Sequence, residues 1–288
     1  MSTVPRPEAP ADALAAAYDR CRRMQRRHDP TFFLATARLP RANRPAVHAL
    51  YGFLRGADEI VDGRGRASDP TTRRAALDAW QSALRDSLDG RPDAHPVLSA
   101  LADAGRRHDL PLHLLEVYMR SMRVDCDDRV RLPDDAALDR YMDGSAATVG
   151  RLMAPLLGAD DDGAEPLARL GVAFQLTNFV RDVREDWAMD RVYLPGLDED
   201  DLRRGEASPA LRARIAGDVD RARRLFAETT EVEQHVPVSM RRGMRLARAV
   251  YGRVLDRVER LGYDVIGGRT ALGARDLGPV AVAALRRG

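Results

Sequence analysis

Apolar residues recur every three to four positions along nearly all of the 288-residue chain, and no stretch shows the period of two that marks a half-buried strand. This pattern predicts helices over 11–27, 31–38, 43–62, 71–89, 97–108, 111–124, 134–157, 164–187, 208–230, 237–262 and 276–286. Start signals sharpen two of them. Asn43 is placed to cap a helix with Pro45 in its first turn, and Pro111 opens the segment that runs to Met122. Breaks fall at 63–70, 125–133, 160–163 and 195–209, none long enough to be an inter-domain linker. No repeat of solenoid period is present. The expected fold class is all-α: one domain over 18–288, behind a flexible Pro/Ala-rich segment at 1–17.

Composition narrows the class. With 44% hydrophobic and 31% charged residues the chain suits a globular protein rather than a disordered one. A net charge of +2 provides no strong field for nucleic acid. All 46 basic residues are Arg, an excess that a GC-rich coding sequence accounts for, although Arg also suits two-pronged phosphate contacts better than Lys. The Arg-rich stretches at 20–27 and 241–260 carry interleaved apolar residues, which fits ordinary amphipathic packing. Cys21 and Cys126 show no paired spacing, which favours a reducing compartment. The N-terminus lacks the features of a signal peptide, and no apolar run approaches the roughly 18 residues of a membrane span. The expected location is the cytoplasm.

Two helices carry candidate chemistry. In AVHALYGFLRGADEIVD (46–62), Val47, Leu50, Leu54 and Val61 form an apolar stripe, and Tyr51, Arg55, Asp58 and Asp62 form a polar one at steps of four, three and four. Asp58 and Asp62 lie one turn apart, so they can share a hard divalent cation whose other ligands are waters and phosphate oxygens. Taken alone, a single pair at this spacing reads more readily as a solvated face with an ordinary Arg–Asp pair, because charge pairs at this spacing are common. In LGVAFQLTNFVRDVREDW (170–187) the arrangement repeats, with Gln175, Asn178, Asp182 and Asp186 opposite Leu176, Phe179, Val180 and Val183. The neutral Gln and Asn can orient a diphosphate and fix carboxylate rotamers. The two acidic helices are expected to face one cavity, as helical bundles build metal sites. Asp125–Asp128, Asp160–Asp162 and Asp198–Asp201 read as solvated loops.

These blocks resemble the squalene/phytoene synthase family, which joins two isoprenyl diphosphates head to head. HDPTFFLATARLPRANRPAVHALYGFLRGADEIVD (28–62) is similar to its first block, YMDGSAATVG (141–150) to its central small-residue block, and QLTNFVRDVREDWAMDRVYLP (175–195) to its second aspartate block. RVLDRVERLGYDVIGGR (253–269) resembles its ending, so the likeness covers roughly 18–270. The resemblance implies a helical isoprenoid-synthase bundle with a central tunnel. It assigns Mg²⁺, or Mn²⁺, to Asp58, Asp62, Asp182 and Asp186, with Arg55 and Arg181 as catalytic partners. By the same likeness Tyr51, Gln175, Asn178 and Tyr193 surround the diphosphates, while Phe32, Tyr141, Ser145 and Val149 line the hydrocarbon tunnel, with Tyr251 on a looser match. Three positions depart from the family pattern: Glu59 where Asp is common, Arg184 where a small residue is usual, and Asp190 where Gly is usual.

The implied reaction condenses two geranylgeranyl diphosphates through a cyclopropyl diphosphate to phytoene, without NADPH. Small Ala35, Thr36, Ser145 and Ala146 favour C20 chains over C15. Rival readings are a C30 dehydrosqualene synthase and a terpene cyclase on the same fold. Release of a C40 hydrocarbon would be helped by peripheral association with the inner membrane face. No GxSxG, HExxH or P-loop is present, and GRGRAS (63–68) follows a helix rather than a strand.

Overall fold

The structure, a computed structural model, describes residues 11–91 and 95–273. Two compact units compose the chain. Among the described residues, unit 1 holds 11–91, 95–126 and 155–157, and unit 2 holds 127–154 and 158–273.

Unit 1 contains α1 (Ala11–His28), α2 (Pro30–Thr36), α3 (Arg44–Asp62), α4 (Pro70–Leu88), α5 (Pro96–His108) and α6 (Leu115–Met122). A cap followed by proline starts several of these helices: Asp29 accepts from the Phe32 amide at 2.8 Å, and Asp69 from that of Thr72 at 2.7 Å. α3 is the central element and packs on α1, α4, α5 and α6. It buries Val47, Leu50, Phe53, Ala57 and Val61. Full burial of a side chain such as Phe53 contributes about 2–3 kcal/mol. A polar seam joins the first three helices. Gln25 donates to Thr36 Oγ1 at 3.0 Å and accepts from the His48 ring, while burial, then Arg22 and Arg44, push His48 down to about 4. His48 is therefore neutral and can serve the seam as a hydrogen-bond donor.

Unit 2 contains α7 (Asp135–Met142), α8 (Thr148–Met153), α9 (Ala164–Arg181), α10 (Val183–Ala188), α11 (Glu199–Arg204), α12 (Pro209–Glu228) and α13 (Val238–Arg260). α9 packs on α8, α12 and α13, around a core that includes Met142, Leu176, Val180, Ile215 and Leu255. Gly150 and Gly171 let backbones touch. A Cβ at Gly171 would sit 2.6 Å from the Ala146 carbonyl oxygen, and one at Gly150 would sit 2.4 Å from that of Leu167. A two-residue parallel pair, β1 (Val130–Arg131) with β2 (Arg191–Val192), ties the chain before α7 to the segment after α10.

The helical expectation holds along the chain, with local corrections. The predicted helix over 134–157 is interrupted by a π turn at Asp143–Ala147, where the Thr148 amide reaches back to the Asp143 carbonyl. The one over 164–187 breaks at Asp182, whose φ of −100° and ψ of 11° leave the helical range. The segment from Pro111 begins as a 3-10 turn, Leu112–Leu114. Asn43 makes no capping bond; its amide donates instead to the Leu156 carbonyl at 2.7 Å. α11 occupies part of a predicted break. Of the segment expected to be flexible, residues 1–10 lie outside the described residues, whereas Ala11–Ala17 already belong to α1, where Ala17 is buried. The helix expected at 276–286 also lies outside the described residues.

Candidate functional site

In unit 1, α3 presents Tyr51, Arg55, Asp58 and Asp62 on the side away from its apolar stripe, with Asp62 exposed and the other three partly buried. The ring of Phe32 from α2 meets that of Tyr51 at 6.2 Å. Burial, and second the Asp62 carboxylate, push Asp58 up to about 7, against the pull of Arg55 and Tyr118. Two carboxylates that resist joint ionisation create a demand for a cation. Arg55 is held by Glu59, so the longer side chain at this departure from the family pattern reaches back one turn to the guanidinium. Arg55 Nε is buried without a hydrogen-bond partner, a donor suited to a phosphate oxygen. Tyr51 is pushed up to about 12, first by burial and then by Asp29, with Arg55 opposing.

In unit 2, the break at Asp182 coincides with a contact from a residue far along the chain. The Thr270 hydroxyl donates to the Arg181 carbonyl at 2.7 Å and so caps the end of α9. Asp182 nevertheless keeps the stripe in register, since its amide bonds to Asn178 and its carbonyl accepts from Asp186, each at 2.8 Å. Arg181 grips Asp182 with two bonds of 2.6 Å. Asn178 Oδ1 is buried without a partner, an acceptor suited to a cation or a protonated ligand. Gln175, Asn178, Asp182 and Asp186 are all partly buried. Arg184 is exposed in the first turn of α10, which explains why a large side chain is tolerated there.

Aromatic contacts organise the rest of unit 2. Tyr193 stacks on Phe179 at 4.4 Å and meets Tyr141 at 5.3 Å. Tyr251 lies 4.3 Å from Phe174. The Ser145 hydroxyl donates to the Tyr141 carbonyl at 2.9 Å, which spends its polarity on the backbone; Val149, like Ser145, is partly buried. Asp190 takes a φ of 58°, the left-handed region that favours glycine, and its carboxylate pairs with Arg131 at 2.5 Å. Arg131 also lies 5.3 Å over Trp187 and bonds to Glu199, which it and Arg129 hold down to about 2.

Several residues of consequence escaped the sequence reading. Asp125 is 2% exposed rather than a solvated loop residue, and its charge acts on Asp58. Asp201, 2% exposed, is likewise buried and pairs with Arg204 at 2.5 Å. Arg191, also 2% exposed, lines with Asp186 and Tyr193 a cavity of about 10 Å³, room for one water. Tyr118 hydrogen-bonds Asp58. The resemblance blocks marked none of these as functional, and Asp125 has no adjacent Pro or Gly to support the loop reading.

Among the described residues, no three of His, Cys, Asp and Glu converge to hold a metal ion by themselves. A cation at either carboxylate pair would complete its shell with water and phosphate oxygens, which is the habit of Mg²⁺. The residues present fit that ion.

A squalene/phytoene synthase family profile matches residues 25–276. Phytoene synthase from Thermus thermophilus is 36% identical over 263 residues, covering 88% of this chain and 86% of that protein. Among solved structures, the squalene synthase HpnC of Alicyclobacillus acidocaldarius superimposes with a TM-score of 0.78 at 31% identity, over 89% of this chain and 97% of that one. A dehydrosqualene synthase in complex with a ligand gives a TM-score of 0.84 at 23% identity, over 97% of this chain and 99% of that one. The fold is that of the all-α isoprenoid synthases.

Proposed function

Because the chain belongs to the squalene/phytoene synthase family, we propose that it joins two geranylgeranyl diphosphates head to head, through a cyclopropyl diphosphate, to form phytoene with release of diphosphate. The observation that carries the reading is on α3, where Asp58 is pushed up to about 7 beside Asp62, and Arg55 Nε is a buried donor with nothing to bind.

In this reading Asp58 and Asp62 would hold Mg²⁺ from α3, and Asp182 and Asp186 would hold Mg²⁺ from the α9–α10 junction, each pair together with diphosphate oxygens. When bound, Mg²⁺ neutralises charge on the leaving diphosphate and so favours formation of an allylic cation. Arg55 donates to a phosphate oxygen through Nε. Arg181 turns its planar fork from Asp182 to a second phosphate. Asn178 and Gln175 orient the carboxylates and the diphosphate, and Tyr51 closes the polar end against Phe32. Tyr141 and Tyr193, with Val149 and the backbone-bonded Ser145, keep water from the cation, so that only the second substrate's double bond reaches it. Tyr251 supports Arg181 from α13. Loss of a proton ends the reaction, which therefore needs no NADPH.

The C40 product is insoluble in water. No helix among the described residues is long and apolar enough to cross a membrane. The reading includes a cytoplasmic enzyme that associates peripherally with the inner membrane face as the hydrocarbon leaves.

Replacing Asp182 with Asn tests the metal chemistry, because the amide keeps the shape and loses the charge. Turnover should fall by at least about a thousandfold, the scale of losing a major electrostatic group, while the helical circular dichroism stays intact. Wild-type-like activity in this variant, or full wild-type activity in EDTA, contradicts the reading.

A further inference from the structure

Three aromatic side chains stand in file behind the first acidic stripe. Trp80 of α4 stacks on Phe53 with ring centroids 5.8 Å apart at 20°, and Phe53 meets Tyr118 of α6 at 6.4 Å. The Trp80 indole donates to the Phe53 carbonyl at 3.3 Å, and its ring meets His95 edge-on at 5.1 Å. Gly56 provides the room, since a Cβ there would lie 2.4 Å from the Trp80 ring. α6 buries Leu115, Met119 and Met122 beside Tyr118, so the phenol has little freedom to turn away. Tyr118 is itself 4% exposed.

The file ends at a carboxylate. The Tyr118 hydroxyl lies 3.3 Å from Asp58 Oδ1 and 3.4 Å from the Leu54 carbonyl oxygen. One proton thus faces two acceptors, both farther off than the roughly 2.8 Å of a settled O–H···O bond. The Leu54 carbonyl already accepts an amide within α3, as interior helix carbonyls do. An ionised carboxylate is the stronger acceptor, so the proton goes to Asp58 once that side chain is charged. Burial first, and Asp58 second, keep the phenol protonated well above its usual range.

We infer that Tyr118 is a positioning residue that holds Asp58 through Oδ1, leaving Oδ2 turned to the cation. The inference rests on the reading of Asp58 as a Mg²⁺ ligand. Removing such an outer partner weakens metal affinity by about 10–100-fold in general, and the long contact here places the expected loss at the low end.

The test is Tyr118→Phe, which keeps the ring and removes only the hydroxyl. Mn²⁺, visible by electron paramagnetic resonance, is titrated into the full chain with inorganic pyrophosphate, and the Mg²⁺ dependence of turnover is measured in parallel. The Mn²⁺ dissociation constant and the half-saturating Mg²⁺ concentration should rise together by about tenfold, with kcat at saturating Mg²⁺ nearly unchanged. A lower melting temperature with unchanged metal affinity would mark a merely structural role and overturn the inference. Asp62→Asn, run alongside, separates two failures. If it loses Mn²⁺ binding and Tyr118→Phe does not, the role of Tyr118 falls alone. If it binds Mn²⁺ like the wild type, the metal reading of α3 falls and takes the inference with it. Should Tyr118→Phe not fold, 3-fluorotyrosine in place of Tyr118 strengthens the donor. Tighter Mn²⁺ binding is then expected, and unchanged or weaker binding overturns the inference.

Discussion

Asp58→Asn should give an inactive protein that is more stable than the wild type at high pH. The folded chain raises Asp58 from 3.8 to about 7. Between those values the native state keeps a proton that the unfolded chain has lost, so native stability falls as pH rises through that window and is flat above it. A rise of that size corresponds to at most about 4 kcal/mol, and because Asp58 is only partly buried we expect about 2 kcal/mol. Asn has no proton to lose and escapes this penalty. In EDTA at about pH 8 the variant should therefore melt roughly 5 °C above the wild type, the change that such an energy produces in a chain of this size. The gap should close toward about pH 4, near the unfolded carboxylate value. Adding Mg²⁺ with pyrophosphate should raise the wild-type midpoint and leave the variant where it was. Thermal melts by circular dichroism across this pH range read all of these effects. A variant less stable than the wild type at about pH 8, or a difference that does not change with pH, would refute the placement of Asp58 beside a second carboxylate.

Two further outcomes follow from packing. Gly171→Val should destabilise unit 2 by about 3 kcal/mol or more in chemical denaturation, because its Cβ would sit 2.6 Å from a backbone oxygen that cannot move cheaply; wild-type stability would show that α9 does not pack this closely. In direct competition the enzyme should prefer C20 over C15 diphosphate, and a clear C15 preference would move the assignment to a dehydrosqualene synthase.

The helices were legible because each needs only a local pattern, a cap and a breaker. The stripe from Tyr51 to Asp62 could be read for the same reason. What the sequence hid depends on distant partners. The break at Asp182 is set by Thr270, 89 residues away along the chain. The π turn lies where Ala146 meets Gly171, and the support of Asp58 comes from Tyr118, 60 residues further on. Asp125 reads as a loop residue because its segment lacks a helical apolar pattern, whereas its burial depends on what packs around it. Asp190 stands out differently. The family habit of glycine there matches the φ of 58° that the backbone adopts, and Arg131 explains how an aspartate is retained.

The central claim is tested most directly by supplying geranylgeranyl diphosphate and Mg²⁺, with and without NADPH, and identifying the hydrocarbon by mass and chromatography. The account predicts phytoene in equal yield under both conditions and none in EDTA. A more saturated product that depends on NADPH, or a cyclic C20 hydrocarbon, would contradict it.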